Sequence, residues 1–255
     1  MKKENQLIQI IDVWKKYDMG KNNSLIVLRD INLSIYEKDF VAITGPSGSG
    51  KSTMVNIVGA LDKPSWGKLI LKEKNVSKMD ESSLAFLRGK TIGFIFQQFN
   101  LIPTLSALQN VMLPMEILDI NEKEAKKRAE ELLIMLGLGE RLNHKPNELS
   151  GGQQQRVAIA RSLSNDPEII IADEPTGNLD SKTGEFVMDF LGKMNEKGKT
   201  IILITHDLNL VHYAKKIVYL KDGKIEKIIT NKRNKLWTSS PLPLKRKYFF
   251  NKNEK

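Results

Sequence analysis

At 255 residues the chain is long enough to bury a substantial core, as one large domain or as a domain with a subdomain. Its 40% hydrophobic and 27% charged content excludes a disordered chain, and its lack of cysteine excludes disulfides, thiolate metal sites and cysteine nucleophiles, as suits a reducing cytoplasm. The net charge of +10 is concentrated in residues 228–255, which hold eight Lys/Arg against one acid, Glu254; the rest is close to neutral, so no nucleic-acid partner is expected.

The first ten residues, MKKENQLIQI, have two lysines but no apolar run long enough for a signal peptide. Segments 7–13, 24–36 and 67–73 alternate apolar with polar residues, the pattern of a small antiparallel sheet. Residues 40–44 (FVAIT) are apolar throughout and run into Gly45, Pro46, Ser47, Gly48, Ser49, Gly50, Lys51 and Ser52, followed by Thr53. That run matches the P-loop pattern G-x-x-x-x-G-K-[ST] in the expected strand context. Glycines let backbone N–H groups curl around phosphate oxygens, and the helix starting near Lys51 offers its free N–H groups to the same anion. Lys51 is expected on the β- and γ-phosphates and the Ser52 hydroxyl on Mg²⁺. A P-loop alone leaves transporter ATPase, kinase and GTPase all open.

Residues 91–115 carry no formal charge and are long enough to span a membrane. Gln97, Gln98, Asn100, Gln109 and Asn110, with Pro103 and Pro114, argue against insertion, because amides find no partner in lipid. A surface segment is expected there. Residues 122–136 form an amphipathic helix: Ala125, Ala129, Leu132, Leu133 and Leu136 share one face, and Gly137 and Gly139 end it. Residues 91–160 as a whole are expected to be a largely helical insert.

Three further apolar segments, EIIIAD (168–173), TIILIT (200–205) and KIVYL (216–220), alternate with helical stretches, which predicts an α/β core with a parallel sheet. The segment at 168–173 ends in two acids with different tasks. Asp173 is placed to hold Mg²⁺ through water, and Glu174 to orient or deprotonate the attacking water. From residue 228 the chain turns basic and asparagine-rich, and a weakly structured extension is expected. Its cations and aromatic residues (Trp237, Tyr248, Phe249, Phe250) suit either an anionic membrane surface or a solvated tail.

The segment LSGGQQQR (149–156) closely resembles the signature motif of ABC ATPases. The resemblance covers residues 7–227 and implies a P-loop NTPase (RecA-like) core with a small antiparallel β subdomain and the helical subdomain at 91–160. It implies ATP and Mg²⁺ as ligands. It also implies a head-to-tail homodimer in which Ser150, Gly151, Gly152 and Gln153 of one subunit cap the ATP held by the other. Gln97 resembles the glutamine that senses γ-phosphate and metal, with Gln98 adjacent. Asp180 resembles the D-loop aspartate, although Gly177 and Asn178 stand where Ser-Ala is commoner. His206 matches the switch histidine, and Tyr17 lies where an aromatic ring stacks on adenine. His144 and His212 match nothing and read as surface or packing residues. Within the family, FIFQQFNLIPTLSALQNV and ADEPTGNLDSKTG most resemble the lipoprotein-releasing and macrolide-exporting subgroup, which includes a cell-division ATPase. The implied partner is an integral membrane permease facing residues 99–110 on the cytoplasmic side of the membrane. The implied task is export or lipid extraction, or else transmission of force without solute transport.

Overall fold

The computed structural model describes residues 5–20 and 23–230. The long strands β1 (Gln6–Asp18) and β2 (Ser24–Tyr36) form an antiparallel hairpin, and β3 (Phe40–Thr44) is buried along its whole length. Helix α1 (Lys51–Val58) follows the glycine-rich loop. Strands β4 (Trp66–Leu71) and β5 (Lys74–Asn75) complete a four-stranded antiparallel sheet in the order β2-β1-β4-β5. Helix α2 (Glu81–Thr91) starts at Asp80, whose carboxylate accepts the Ser83 N–H, and leads into β6 (Ile92–Phe96).

Helices α3 (Ala107–Glu116), α4 (Glu122–Met135) and α5 (Gly151–Ser162) pack together before β7 (Ile169–Asp173). Helix α6 (Ser181–Glu196), β8 (Thr200–Ile204), β9 (Lys216–Lys221) and β10 (Lys224–Thr230) complete the described chain. The second sheet has the order β10-β9-β3-β8-β7-β6, parallel except for the β9–β10 hairpin. Strand alternation divides its side chains between two cores. Val41, Ile43, Ile169 and Ile171 pack with α1 and the antiparallel sheet, while Ala42, Ile170 and Leu203 pack with α3 to α6. Both faces are covered, which is why these strands read as continuous apolar runs rather than alternating ones.

Three expectations need correction. The stretch 91–160 is not helical from its start, because Ile92–Phe96 is the edge strand of the parallel sheet, paired with β7. The backbone comes so close there that a Cβ on Gly93 would lie 2.1 Å from the Ser162 carbonyl oxygen. Nor are residues 91–115 a surface segment, since Ile92, Ile95, Val111 and Met115 lie in the core. Asn110 is 0% exposed; its Oδ1 accepts the Ile102 N–H at 2.8 Å and its Nδ2 donates to the carbonyls of Ile102, Leu105 and Ser106. A buried amide that is fully bonded folds a loop as effectively as an exposed one marks a surface. Finally, residues 228–230 still belong to β10, paired with Val218, Ile217 and Lys216; the change in composition there does not end the sheet. Residues 231–255 lie outside the described residues. Among the described residues no helix is long and apolar enough to cross a membrane.

Candidate functional site

The carboxyl ends of β3, β8 and β7 are neighbours in the parallel sheet, the usual place for a ligand in an α/β fold. Beyond β3 the chain turns at Gly45, where a Cβ would lie 2.0 Å from the Leu220 carbonyl oxygen, so only glycine fits. It enters α1 through Gly50 at φ +99, and no side chain caps the helix. The first-turn N–H groups of α1 are therefore available to an anion. Lys51 Nζ donates to the carbonyls of Gly45 and Pro46, each at 2.9 Å, which folds the ammonium over the loop.

Gly45, Pro46, Ser47, Gly48, Gly50, Lys51, Ser52 and Thr53 line an open cleft of ≈ 810 Å³, with Glu174 and His206 on its wall. Ser49 is the one residue of the loop that does not line the cleft. It is 3% exposed, and its carbonyl accepts the Gly223 N–H from the β9–β10 turn. The motif reading missed Val27, Leu208 and Tyr219, which also line the cleft. Tyr219 was accessible in principle, because it lies in a recognised strand and faces Thr44 in the register of β9 with β3.

The two acids at the end of β7 part company as expected, but through the backbone. Glu174 leaves the strand at φ +45 with its N–H bonded to the Ile204 carbonyl. Its Oε1 accepts the His206 backbone N–H at 2.9 Å and lies 2.6 Å from His206 Nδ1, while Oε2 accepts the Thr205 hydroxyl at 3.2 Å. Burial, then the Glu174 charge, pushes the Asp173 carboxyl above the usual range, and the Lys51 ammonium opposes this. Among the described residues no cluster of three or more His, Asp or Glu could cage a metal. Mg²⁺ bound with a nucleotide takes one or two protein oxygens and completes its shell with phosphates and water. The Ser52 hydroxyl and Asp173 carboxylate are donors of that kind.

Gln97 follows β6 but does not line the cleft. Its carbonyl accepts Asn178 Nδ2 at 3.1 Å, and a Cβ on Gly177 would lie 2.6 Å from Gln97 Nε2. The departures Gly177 and Asn178 are thus the contact surface of this glutamine. Ser150, Gly151, Gly152 and Gln153 stand away from the cleft as the start of α5, not as a loop before it. Ser150 Oγ accepts the Gln153 N–H and the Gln153 side chain accepts the Ser150 N–H, a reciprocal cap. Gly151 has open space around it, and Gly152 abuts Thr183. Asp180 caps α6 through the Thr183 N–H at 3.0 Å and the Thr183 hydroxyl at 2.6 Å, which holds its carboxyl below the usual range. Tyr17 also lies off the cleft lining, with its hydroxyl bonded to Asp62.

A phosphate-binding loop and an acidic strand end, side by side on one edge of a parallel sheet, place the chain among P-loop nucleotide hydrolases. Comparison with known proteins narrows the class. The family profile described as ABC transporter matches residues 28–177. An ABC transporter ATP-binding protein of Thermotoga maritima is 51% identical over 223 residues, covering 88% of this chain and 95% of that one. The macrolide export ATP-binding/permease protein MacB of Shewanella sp. is 48% identical over 219 residues, covering 86% of this chain but 33% of that longer protein. A dimeric cassette, MJ0796, solved in a post-hydrolysis state with ADP and Pi, superposes with a TM-score of 0.81 at 49% identity, covering 88% of this chain and 98% of that one. The chain belongs to the ABC transporter family: it is an ATP-binding cassette, an ATP-hydrolysing component of a transporter.

Proposed function

We propose that the chain binds MgATP in the Lys51 cleft, pairs head-to-tail with a second copy, and drives a separate membrane permease from the cytoplasmic side, in export or in extraction of a lipid or lipoprotein. One observation carries the shared-site reading. Residues 150–153 cap a helix whose first turn is open at Gly151, yet they line no part of the chain's own phosphate cleft. An anion site without an anion in its own chain calls for a second chain, and the related cassette is dimeric. The export reading rests on likeness to MacB, whose name joins an ATP-binding part to a permease. A groove of ≈ 300 Å³ lined by Arg88, Phe94, Phe96, Asn100 and Arg161 is the proposed permease seat. The carbonyls of Phe99 and Asn100 on its rim accept from the Arg161 guanidinium.

In the proposed reaction water attacks the γ-phosphorus, the bond to the bridging oxygen breaks, and ADP and phosphate leave. Glu174 takes the water proton, and its bonds to the His206 and Thr205 loop aim it. His206, on the cleft wall, donates to the γ-phosphate, and Lys51 neutralises the β- and γ-oxygens. Tyr17 stacks on adenine, and Asp180 borders the subunit contact beside Thr183. Ser52, Asp173 and Gln97 would hold Mg²⁺, which would supply neutralisation of phosphate charge when bound.

The test uses Ser150→Arg, which fills the cap with a bulky side chain. Monomer affinity for ATP should stay within about twofold, while the ATP-dependent dimer seen by size-exclusion chromatography should disappear. A dimer that survives the substitution would remove the shared site.

A further inference from the structure

Beneath Tyr17 lies a partly buried ion pair that no motif accounts for. Lys15 precedes Tyr17 by two residues on β1, so both side chains leave the same face of the strand. Lys15 is only 9% exposed. Its ammonium lies 2.6 Å from Asp62 Oδ1 and donates to the Lys63 carbonyl at 2.8 Å. Asp62 Oδ1 also accepts the Lys63 N–H at 2.7 Å, and Oδ2 accepts the Tyr17 hydroxyl at 3.1 Å. The ammonium stands 4.9 Å from the Tyr17 ring centroid, within cation–π range.

The pair contributes little net stability, because the Lys15 ammonium is desolvated while the Asp62 carboxylate remains partly in water. What the arrangement supplies is direction. The hydroxyl fixes one edge of the ring and the ammonium occupies one face. Asp62 also ties the ring to the phosphate side. It sits in the turn after α1, where the N–H groups of Leu61 and Asp62 both donate to the Asn56 carbonyl within α1. The helix whose first turn faces phosphate is therefore joined to the base-side ring by one rigid strut.

We propose that Lys15 and Asp62 are positioning residues that hold the Tyr17 ring for the nucleotide base and so determine how strongly the site prefers ATP to a bare polyphosphate. This rests on the reading of Tyr17 as the base-stacking residue.

The experiment compares binding of ATP and of inorganic tripolyphosphate to the full chain. Tyr17→Ala should weaken ATP about tenfold, roughly 1.4 kcal/mol, the scale of one lost base stack, and leave tripolyphosphate within about twofold. Lys15→Met and Asp62→Ala should each weaken ATP about fivefold with the same indifference to tripolyphosphate, and neither should add to Tyr17→Ala. Should Lys15→Met fail to fold, Tyr17→Phe keeps the ring and the ion pair, loses only the bond to Asp62, and should weaken ATP about threefold. If Tyr17→Ala leaves the ATP-to-tripolyphosphate ratio unchanged, the base-stacking reading fails. If Tyr17→Ala lowers that ratio but Lys15→Met, Asp62→Ala and Tyr17→Phe do not, the positioning role alone fails. Equal weakening of both ligands by the ion-pair variants would overturn it too, because that is the mark of general damage.

Discussion

Glu174→Gln should separate ATP binding from ATP hydrolysis, and the hydrogen bonds around residue 174 give the scale. The Glu174 carboxylate accepts the His206 N–H at 2.9 Å and the Thr205 hydroxyl at 3.2 Å, and it lies 2.6 Å from His206 Nδ1. Glutamine keeps one oxygen for the His206 loop and turns its NH₂ toward Thr205 Oγ1, which can accept in place of donating. At most about one hydrogen bond is compromised, a cost of ~1 kcal/mol and a Tm change of roughly 3 °C. On the proposed role of Glu174 hydrolysis loses its proton acceptor, and general-base catalysis is worth about 10² to 10⁴-fold. Turnover should therefore fall at least about a hundredfold in a protein that melts almost normally. Removing a negative charge that would face the γ-phosphate also favours the ATP-bound state, so the variant should elute as a stable dimer with ATP and a monomer without it. Single-turnover phosphate release and size-exclusion chromatography measure both effects. Release within about threefold of the parent rate would refute the assignment of the base, and so would a variant that remains monomeric at saturating ATP.

Burial and the Glu174 charge raise the Asp173 pKa, so its ionisation costs the folded state. That cost is absent below the ordinary aspartate value of 3.8 and complete once the pH exceeds the raised folded value. Asp173→Asn should therefore melt higher than the parent at about pH 7 and no higher at about pH 3, while losing Mg²⁺-dependent turnover; equal melting at both would place Asp173 in water. Asn110→Ala deletes a buried amide that serves four backbone groups, and should lower stability by about 3 kcal/mol, read as a Tm drop of roughly 8 °C. Ending the chain at Thr230 should leave ATPase activity within about twofold, whereas ending it at Lys227 strips three pairings from β9 and should lower the Tm.

The parts of the site that were legible in sequence are those built from backbone. A phosphate needs consecutive N–H groups, and consecutive groups come from consecutive residues, so Gly45 to Ser52 and Leu149 to Gln153 announce themselves as short words. The parallel strands were legible for a related reason: burial on both faces leaves no polar alternation to obscure them. β6 escaped because IGFIF lies in a long uncharged stretch whose amides suggested a surface. Asn110 shows why composition misled there. An amide reports only that it needs partners, and Ile102, Leu105 and Ser106 supply them internally.

Side chains that meet across the fold left weaker traces. The approach of Glu174 to His206 could be anticipated, because each directly follows a parallel strand, or nearly so, and adjacent strand ends must converge. Nothing comparable announces Asp62. β1 changes register with β2 at several points, including between Val13 and Lys15 and between Lys15 and Lys16, and such irregularities re-aim side chains without any signature in composition. Alternation places Lys15 and Tyr17 on one face, but only the turn after α1, with both N–H groups drawn to the Asn56 carbonyl, brings a carboxylate beneath them. Recognition of phosphate is therefore written locally in this chain. In the proposed reading, recognition of the base depends on how a bulged strand meets the end of the phosphate-binding helix, so substitutions at Lys15 or Asp62 should alter the preference for ATP over tripolyphosphate without touching a motif.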